Sequence, residues 1–168
     1  SVLSFQEQYQ MFLTTGDYFA ERVAVPGGLA SYIGEFLTQF YYLPTIGAIS
    51  IALLFLALQH LTWRVAQTNG AKDCWYLISF IPPVVLWAYM GDENVMLAFI
   101  VSMVALLLSM LCHDVISRKA DNTLSLVIRI LFGLPLFYWF FGPAVILLMI
   151  YILVREFTTL KGKGIQQH

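Results

Sequence analysis

The sequence predicts an all-α, polytopic helical membrane protein with about five spans, preceded by amphipathic helices lying at the membrane interface. Three observations predict it. Hydrophobic residues make up 60% of the 168 and charged residues only 11%, against roughly 25% charged in an ordinary soluble domain, too few to cover a water-soluble fold of this size. The charges cluster between long apolar runs, and a membrane span needs about 20 apolar residues. Seven of the nine basic residues, finally, fall on one side of those runs. The net charge of −1 carries no nucleic-acid signal.

Residues 1–42 precede the first long run. SFQE at 4–7 is a capping box, in which the Ser4 hydroxyl satisfies the Glu7 amide while Glu7 reaches back. The helix it opens carries Phe5, Tyr9, Phe12 and Leu13 and is expected to end near Gly16. Asp17 is placed to cap a short helix over 18–24, and Pro26-Gly27-Gly28 forces a turn. In the next stretch Leu29, Tyr32, Ile33, Phe36, Leu37 and Phe40 recur at helical spacing, while Ser31, Glu35, Thr38 and Tyr42 take the other face. That pattern predicts a helix over 29–43 lying in the interface, apolar face down. The chain enters the bilayer at Leu43-Pro44, and the segment ahead of it, too small to fold alone, must lean on the spans.

The membrane bundle is expected over 43–156, with spans at 43–63, 74–90 and 95–112. The next apolar block, Leu124 to Val154, is too long for one pass through about 30 Å of hydrocarbon. Gly142-Pro143 breaks it, because Pro cannot continue the hydrogen bonding of a preceding helix, giving spans at 124–141 and 143–156. Arg64 and Lys72, then Arg118 and Lys119, then Arg155, Lys161 and Lys163 all fall on one side of this arrangement. The opposite connections, GDEN at 91–94 and the turn at Gly142, contain no basic residue. The positive-inside rule puts the basic side, with the tail 157–168, in the cytoplasm and residues 1–42 on the periplasmic side of a bacterial inner membrane. Arg129, a turn inside the fourth span, can snorkel to the headgroups; deeper, it would mark function.

PVVLW at 83–87 and PLFYW at 135–139 share Pro-x-x-x-Trp, each followed by a glycine turn, so two similar hairpins are expected. Transporters contain such repeats, but interfacial Trp and membrane Pro are also ordinary. Cys74 and Cys112 read as unpaired thiols, and His60 and His113 as interface histidines rather than metal or haem ligands. No P-loop, nucleophile elbow or H-E-x-x-H motif occurs, and no cofactor is identified.

Chemistry, where it exists, is expected on the outward side. Asp17, Glu21 and Glu35 are the catalytic candidates: carboxylates held at a membrane surface can serve as a general base or bind a cation bridging a lipid phosphate. The plainer reading makes Asp17 a cap, leaves Glu21 and Arg22 solvated and uses Glu35 to mark the wet helix face. Gly27 and Gly28, beside the positive end of the next helix and with Arg22 in reach, would form an anion or lipid-headgroup nest. The plainer alternative is a sharp turn.

The stretches EQYQMFLTTGDYF at 7–19 and PGGLASYIGEFLTQFYYLPTIGA at 26–48 resemble an uncharacterised family of multi-pass inner-membrane proteins from Bacteroidota. That resemblance implies a further span ahead of Ser1, in keeping with the absent initiator Met and signal peptide. It implies no activity. The outer loop of interfacial helices followed by paired spans is also similar to membrane glycosyltransferases of the C-type fold, which use lipid-phosphate sugar donors. On that similarity Asp17 is the base, with Glu21 or Glu35 behind it. The expected function is a membrane-embedded structural or complex-forming component. A glycosyltransferase is the alternative, and a transporter the third reading, since the spans carry few mid-depth polar groups. Membrane lipids and other membrane-protein subunits are the expected partners.

Overall fold

The computed structural model describes residues 16–89, 97–119 and 123–165, which form eight α-helices linked by short 3-10 and π segments. The SFQE capping box with its helix and the GDEN connection lie outside the described residues. Helix α1 is Gly16–Val23 and α2 is Gly28–Thr38, continued by a 3-10 turn over Gln39–Tyr42. These match the expected 18–24 and 29–43 segments to within about two residues at the helix starts, the usual scatter of frayed ends.

The face that α2 turns to the protein is its small-residue face. Its buried residues are the small ones, Gly28, Ala30 and Gly34, while Phe36 is exposed. Gly34 lies against the start of α5, Leu97–Lys119, where an added Cβ would sit 2.7 Å from the Ala98 amide nitrogen. Large apolar residues give a helix its solvent-averse stripe, but close backbone approach is governed by whichever face is smallest.

Helix α3, Pro44–Thr68, starts with Pro at its first turn, where the missing N–H is not needed, and runs five residues beyond the expected 63. It ends in a Schellman motif: Ala71 N–H donates to Ala66 O at 3.0 Å and Gly70 N–H to Gln67 O at 3.0 Å, with Gly70 at φ 85°. The apolar segment that follows is a 3-10 helix, Asp73–Phe80, and then α4, Ile81–Tyr89. At about 2.0 Å and 1.5 Å rise per residue these two pieces together reach roughly 30 Å. The change of helix type falls at Pro82-Pro83, which have no N–H to donate backwards. An edge-to-face contact of Tyr76 with Trp63, 5.1 Å between centroids, holds the segment on α3, and Tyr76 meets Phe80 of its own segment at 5.5 Å. Gln59 Nε2 adds a buried hydrogen bond to Ser79 Oγ at 3.1 Å.

The last block is α6, Thr123–Ile128, a π segment Arg129–Gly133, α7, Leu134–Phe141, a 3-10 turn Gly142–Ala144 and α8, Val145–Ile165. The π turn accommodates Pro135, whose ring would otherwise strike a carbonyl one turn back. At Gly142, with φ 71° and ψ −144°, the chain reverses. Arg129 Nη1 donates to His113 O at 3.4 Å and Glu156 Oε1 stands 3.7 Å from His113 Nε2. In one straight helix residues 129 and 156 would be about 40 Å apart. Phe137 of α7 accordingly packs with Ala144, Leu148 and Ile152, and with Leu106 of α5. The expected break is therefore a fold-back.

Three helical runs are long and apolar enough to cross a membrane: Pro44–Thr68, Leu97–Lys119 and Leu124–Thr159, the last being the folded-back pair; Asp73–Ala88 is a shorter apolar helix. The protein is thus all-helical over the described residues and has the character of a membrane protein.

A buried polar cluster as candidate functional site

The bundle has two chemically distinct ends. At one, the C-terminal parts of α3 and α5 meet the middle of α8 and the π segment, and four polar side chains form a closed circuit. The Schellman motif places Asn69 at the tip of α3, and Asn69 Nδ2 donates to the Tyr151 hydroxyl at 3.0 Å. Tyr151 donates to Asp114 Oδ2 at 2.7 Å, Arg155 Nε lies 3.3 Å from Asp114 Oδ1, and Arg155 Nη1 donates to Asn69 Oδ1 at 3.0 Å. Tyr151 and Arg155 are one helical turn apart, which is why both reach the same carboxylate. The side chain of Asp114 is 1% exposed. Its Oδ1 is near Arg155 but misaligned for a hydrogen bond, so the pair is held by charge.

His113 adjoins this circuit. Its Nδ1 is 3.9 Å from Asp114 Oδ1 and its Nε2 3.7 Å from Glu156 Oε1, both too long for hydrogen bonds. The ring is buried, and neither of its nitrogens, nor the buried Nε of Arg129, has a hydrogen-bond partner. Arg118 Nη2 closes the same end by donating to Thr68 O at 3.4 Å. Among the described residues no group of three His, Cys, Asp or Glu side chains is arranged to hold a metal ion. Cys74 and Cys112 are both free thiols.

The other end holds the residues that the sequence singled out. Gly27, at φ 80°, donates its N–H to Trp139 O at 2.8 Å, and Trp139 Nε1 returns a hydrogen bond to Val23 O at 2.9 Å. An added Cβ on Gly27 would lie 3.6 Å from the Gly142 Cα, so the two glycine turns touch backbone to backbone. Gly28 N–H donates to Val25 O at 2.9 Å. A Cβ on Gly28 would sit 1.7 Å from Arg22 O. Both amides of the expected anion nest are thus given to carbonyls, and the turn docks the fold-back at Gly142. Of the two Pro-x-x-x-Trp repeats, the second has this role, through the hydrogen bonds of Trp139.

Glu35 and Arg22 come together, with Tyr18 between them. Arg22 Nη2 is 2.7 Å from Glu35 Oε1, Tyr18 donates to Glu35 Oε2 at 2.6 Å, and Arg22 Nε donates to the Tyr18 oxygen at 3.0 Å. Donation to the Glu35 carboxylate holds the Tyr18 phenol above its ordinary value, and burial adds to this. The hydrogen bond to Tyr18 likewise raises Arg22. Asp17 and Glu21 remain exposed on α1. The three expected carboxylates therefore do not converge: one is paired between α1 and α2, and two face outward.

Asp114, Tyr151, Asn69 and Arg155 were not marked as a site by their sequence spacing, and His113 read as an interface histidine. The one available signal was a single carboxylate inside the apolar α5 run, since an ionisable group within a membrane helix calls for a partner.

Over residues 1–167 the chain matches a family of unknown function, DUF6057. No curated protein and no solved structure matches it.

Proposed function

Starting from the chain's membership of DUF6057, a family of unknown function, we propose that it is a five-pass component of a membrane assembly, serving a structural, complex-forming role. The single observation that carries the role is α3. In its most apolar window only 11% is buried within the protein, against 39% for α5. Along its outer side Ala48 and Ala52, one turn apart, are exposed between Ile49, Leu53 and Leu56. In lipid, apolar bulk does not drive helices together, whereas small residues at i and i+4 let two backbones approach closely. The ionisable groups of the described spans are drawn together at one end, where they tie α3, α5 and α8 to each other, as a scaffold needs and a transport path does not.

A photo-crosslinking residue introduced at Ala52 in native membranes is expected to yield a discrete protein adduct, and Ala52→Phe should abolish that assembly while the chain still accumulates. Lipid adducts alone would rule the role out.

Five passes are supported by the fold-back at Gly142 and by the reach of 73–89, and the basic residues favour a cytoplasmic location for the Asn69 end of a bacterial inner membrane. Residues 16–42 are then periplasmic. With single cysteines in a background lacking Cys74 and Cys112, Gln67→Cys and Thr159→Cys are expected to label from the cytoplasmic side, and Glu21→Cys from the periplasm. Labelling of Thr159→Cys from outside would mean that the last block crosses once. A glycosyltransferase would use Asp17 as its base, with Glu21 or Glu35 behind it, and no observation among the described residues favours that reading. Lipids and other membrane subunits are the partners this reading requires.

A further inference from the structure

A cavity of about 700 Å³, open to one side, lies at the Asn69 end of the bundle, between the last two turns of α3 and the segment 73–82. Asn69, Gly70, Ala71 and Lys72 surround it at the tip of α3. Ile78, Ile81 and Pro82 wall it more deeply, since the chain has turned back and Ser79 is already level with Gln59. The cavity is therefore charged toward the tip of α3 and apolar below it. Most of its polar groups are committed: Thr62 donates to Leu58 O at 2.7 Å, Ser79 to Tyr76 O at 2.6 Å, and the Asn69 amide is held by Tyr151 and Arg155. Lys72 and Trp75, which also line it, are exposed, and neither side chain has a hydrogen bond or ion pair among the described residues. No carboxylate lines the cavity, and among the described residues none stands within ion-pairing distance of Lys72, Arg118 or Lys119.

We infer that this cavity binds a phospholipid with a net negative headgroup, the Lys72 ammonium pairing with the phosphate, Trp75 donating its indole N–H to a lipid oxygen and the upper methylenes packing on Ile78, Ile81 and Pro82. An ammonium and an indole N–H only donate, so both need an acceptor, and a charged acceptor gives the ammonium its stronger bond. A cationic headgroup amine would find no carboxylate in the cavity and would meet Lys72 instead, which is why the headgroup must carry net negative charge. Trp at the border between headgroups and hydrocarbon is at home there. At about 30 Å³ per water-sized group the volume takes roughly 23 such groups, enough for a phosphate, a glycerol and the first methylenes of two chains. A free phosphate would fill a small part of it and leave the apolar wall uncovered. The open side lets both chains leave into lipid. This inference does not rest on the scaffold reading, since it needs no partner protein, and its failure would leave the adducts expected at Ala52 untouched.

Native mass spectrometry of the purified chain in uncharged detergent counts bound lipid directly. Phosphatidylglycerol is expected to fill one saturable site, and phosphatidylcholine to need a concentration about tenfold higher or more, the equivalent of one charge-assisted hydrogen bond. Lys72→Gln should remove that preference. Arg64→Gln, which deletes a charge near the same end but outside the cavity, should keep it, and inorganic phosphate should not displace the lipid. Equal binding of the two lipids would show apolar filling alone, an equal loss in Arg64→Gln a diffuse surface charge, and displacement by phosphate a simple anion site. Each of these results overturns the inference, as does an unchanged preference in Lys72→Gln. If that variant does not fold, the contrast between the two lipids and the phosphate competition on the unaltered chain decide.

Discussion

Replacing Asp114 by Ala is expected to destabilise the bundle by about 3 kcal/mol, the lower end of the cost of breaking a buried ion pair, because the Arg155 left behind is partly exposed. The loss falls on three helices at once. Arg155 of α8 would keep its charge with no carboxylate beside it, Tyr151 would lose the acceptor at 2.7 Å, and Asn69 at the tip of α3 would hold only the remnants of the circuit. Magnitudes separate the parts. Tyr151 donates to a charged acceptor, a bond worth about 1.5–3 kcal/mol, and Tyr151→Phe leaves the Arg155 pair in place, so it should cost less than Asp114→Ala. Asp114→Asn, which keeps an acceptor for Tyr151 but not the charge, should fall between them. The double variant Asp114→Leu with Arg155→Met should recover much of the loss, because apolar packing can replace a buried ion pair outright. Thermal unfolding of the purified chain in one detergent measures all four. Equal losses for Tyr151→Phe and Asp114→Ala would show that charge pairing does not hold this end together.

Gly34→Leu should undock α2 from α5, with a loss at or above about 3 kcal/mol, the upper range for overpacking a close contact. A Cβ alone at this position would meet the Ala98 backbone nitrogen at 2.7 Å and its Cα at 3.0 Å. Backbone cannot swing aside as a flexible side chain can, so even Gly34→Ala should be felt. The expected result is selective: limited proteolysis should open the 16–42 segment in Gly34→Leu while the core of Leu106, Phe137, Leu148 and Ile152 stays protected. Gly16→Ala is the control, because nothing lies within 4 Å of a Cβ there. Similar cleavage of the two variants would mean that the Gly34 contact does not hold the segment down.

Helical class, the short pre-span helices and the break at Gly142 were legible in the chain because each depends on local causes. Apolar run length, proline's missing N–H and glycine's access to positive φ act within a few residues. The turn at Pro26-Gly27-Gly28 was legible as a turn for the same reason, but its purpose was not. Gly27 bonds to Trp139 and lies against Gly142, more than a hundred residues away in sequence. Glu35 read as a marker of the wet face, yet it is the anchor between α1 and α2, since helical periodicity says which side a residue is on and nothing about what stands opposite.

Composition and the placement of charge establish, with no structure at all, that this chain is helical and suited to a membrane, because burying so much apolar surface with so few charges has few other solutions. Which ionisable groups meet is a different kind of fact. Asp114, Tyr151, Arg155 and Asn69 come from three helices, and their convergence depends on helix length, on the Schellman stop at Gly70 and on the reversal at Gly142. No spacing along the chain encodes a distance between helices, so the polar cluster and the cavity beside it exist only once the helices have packed.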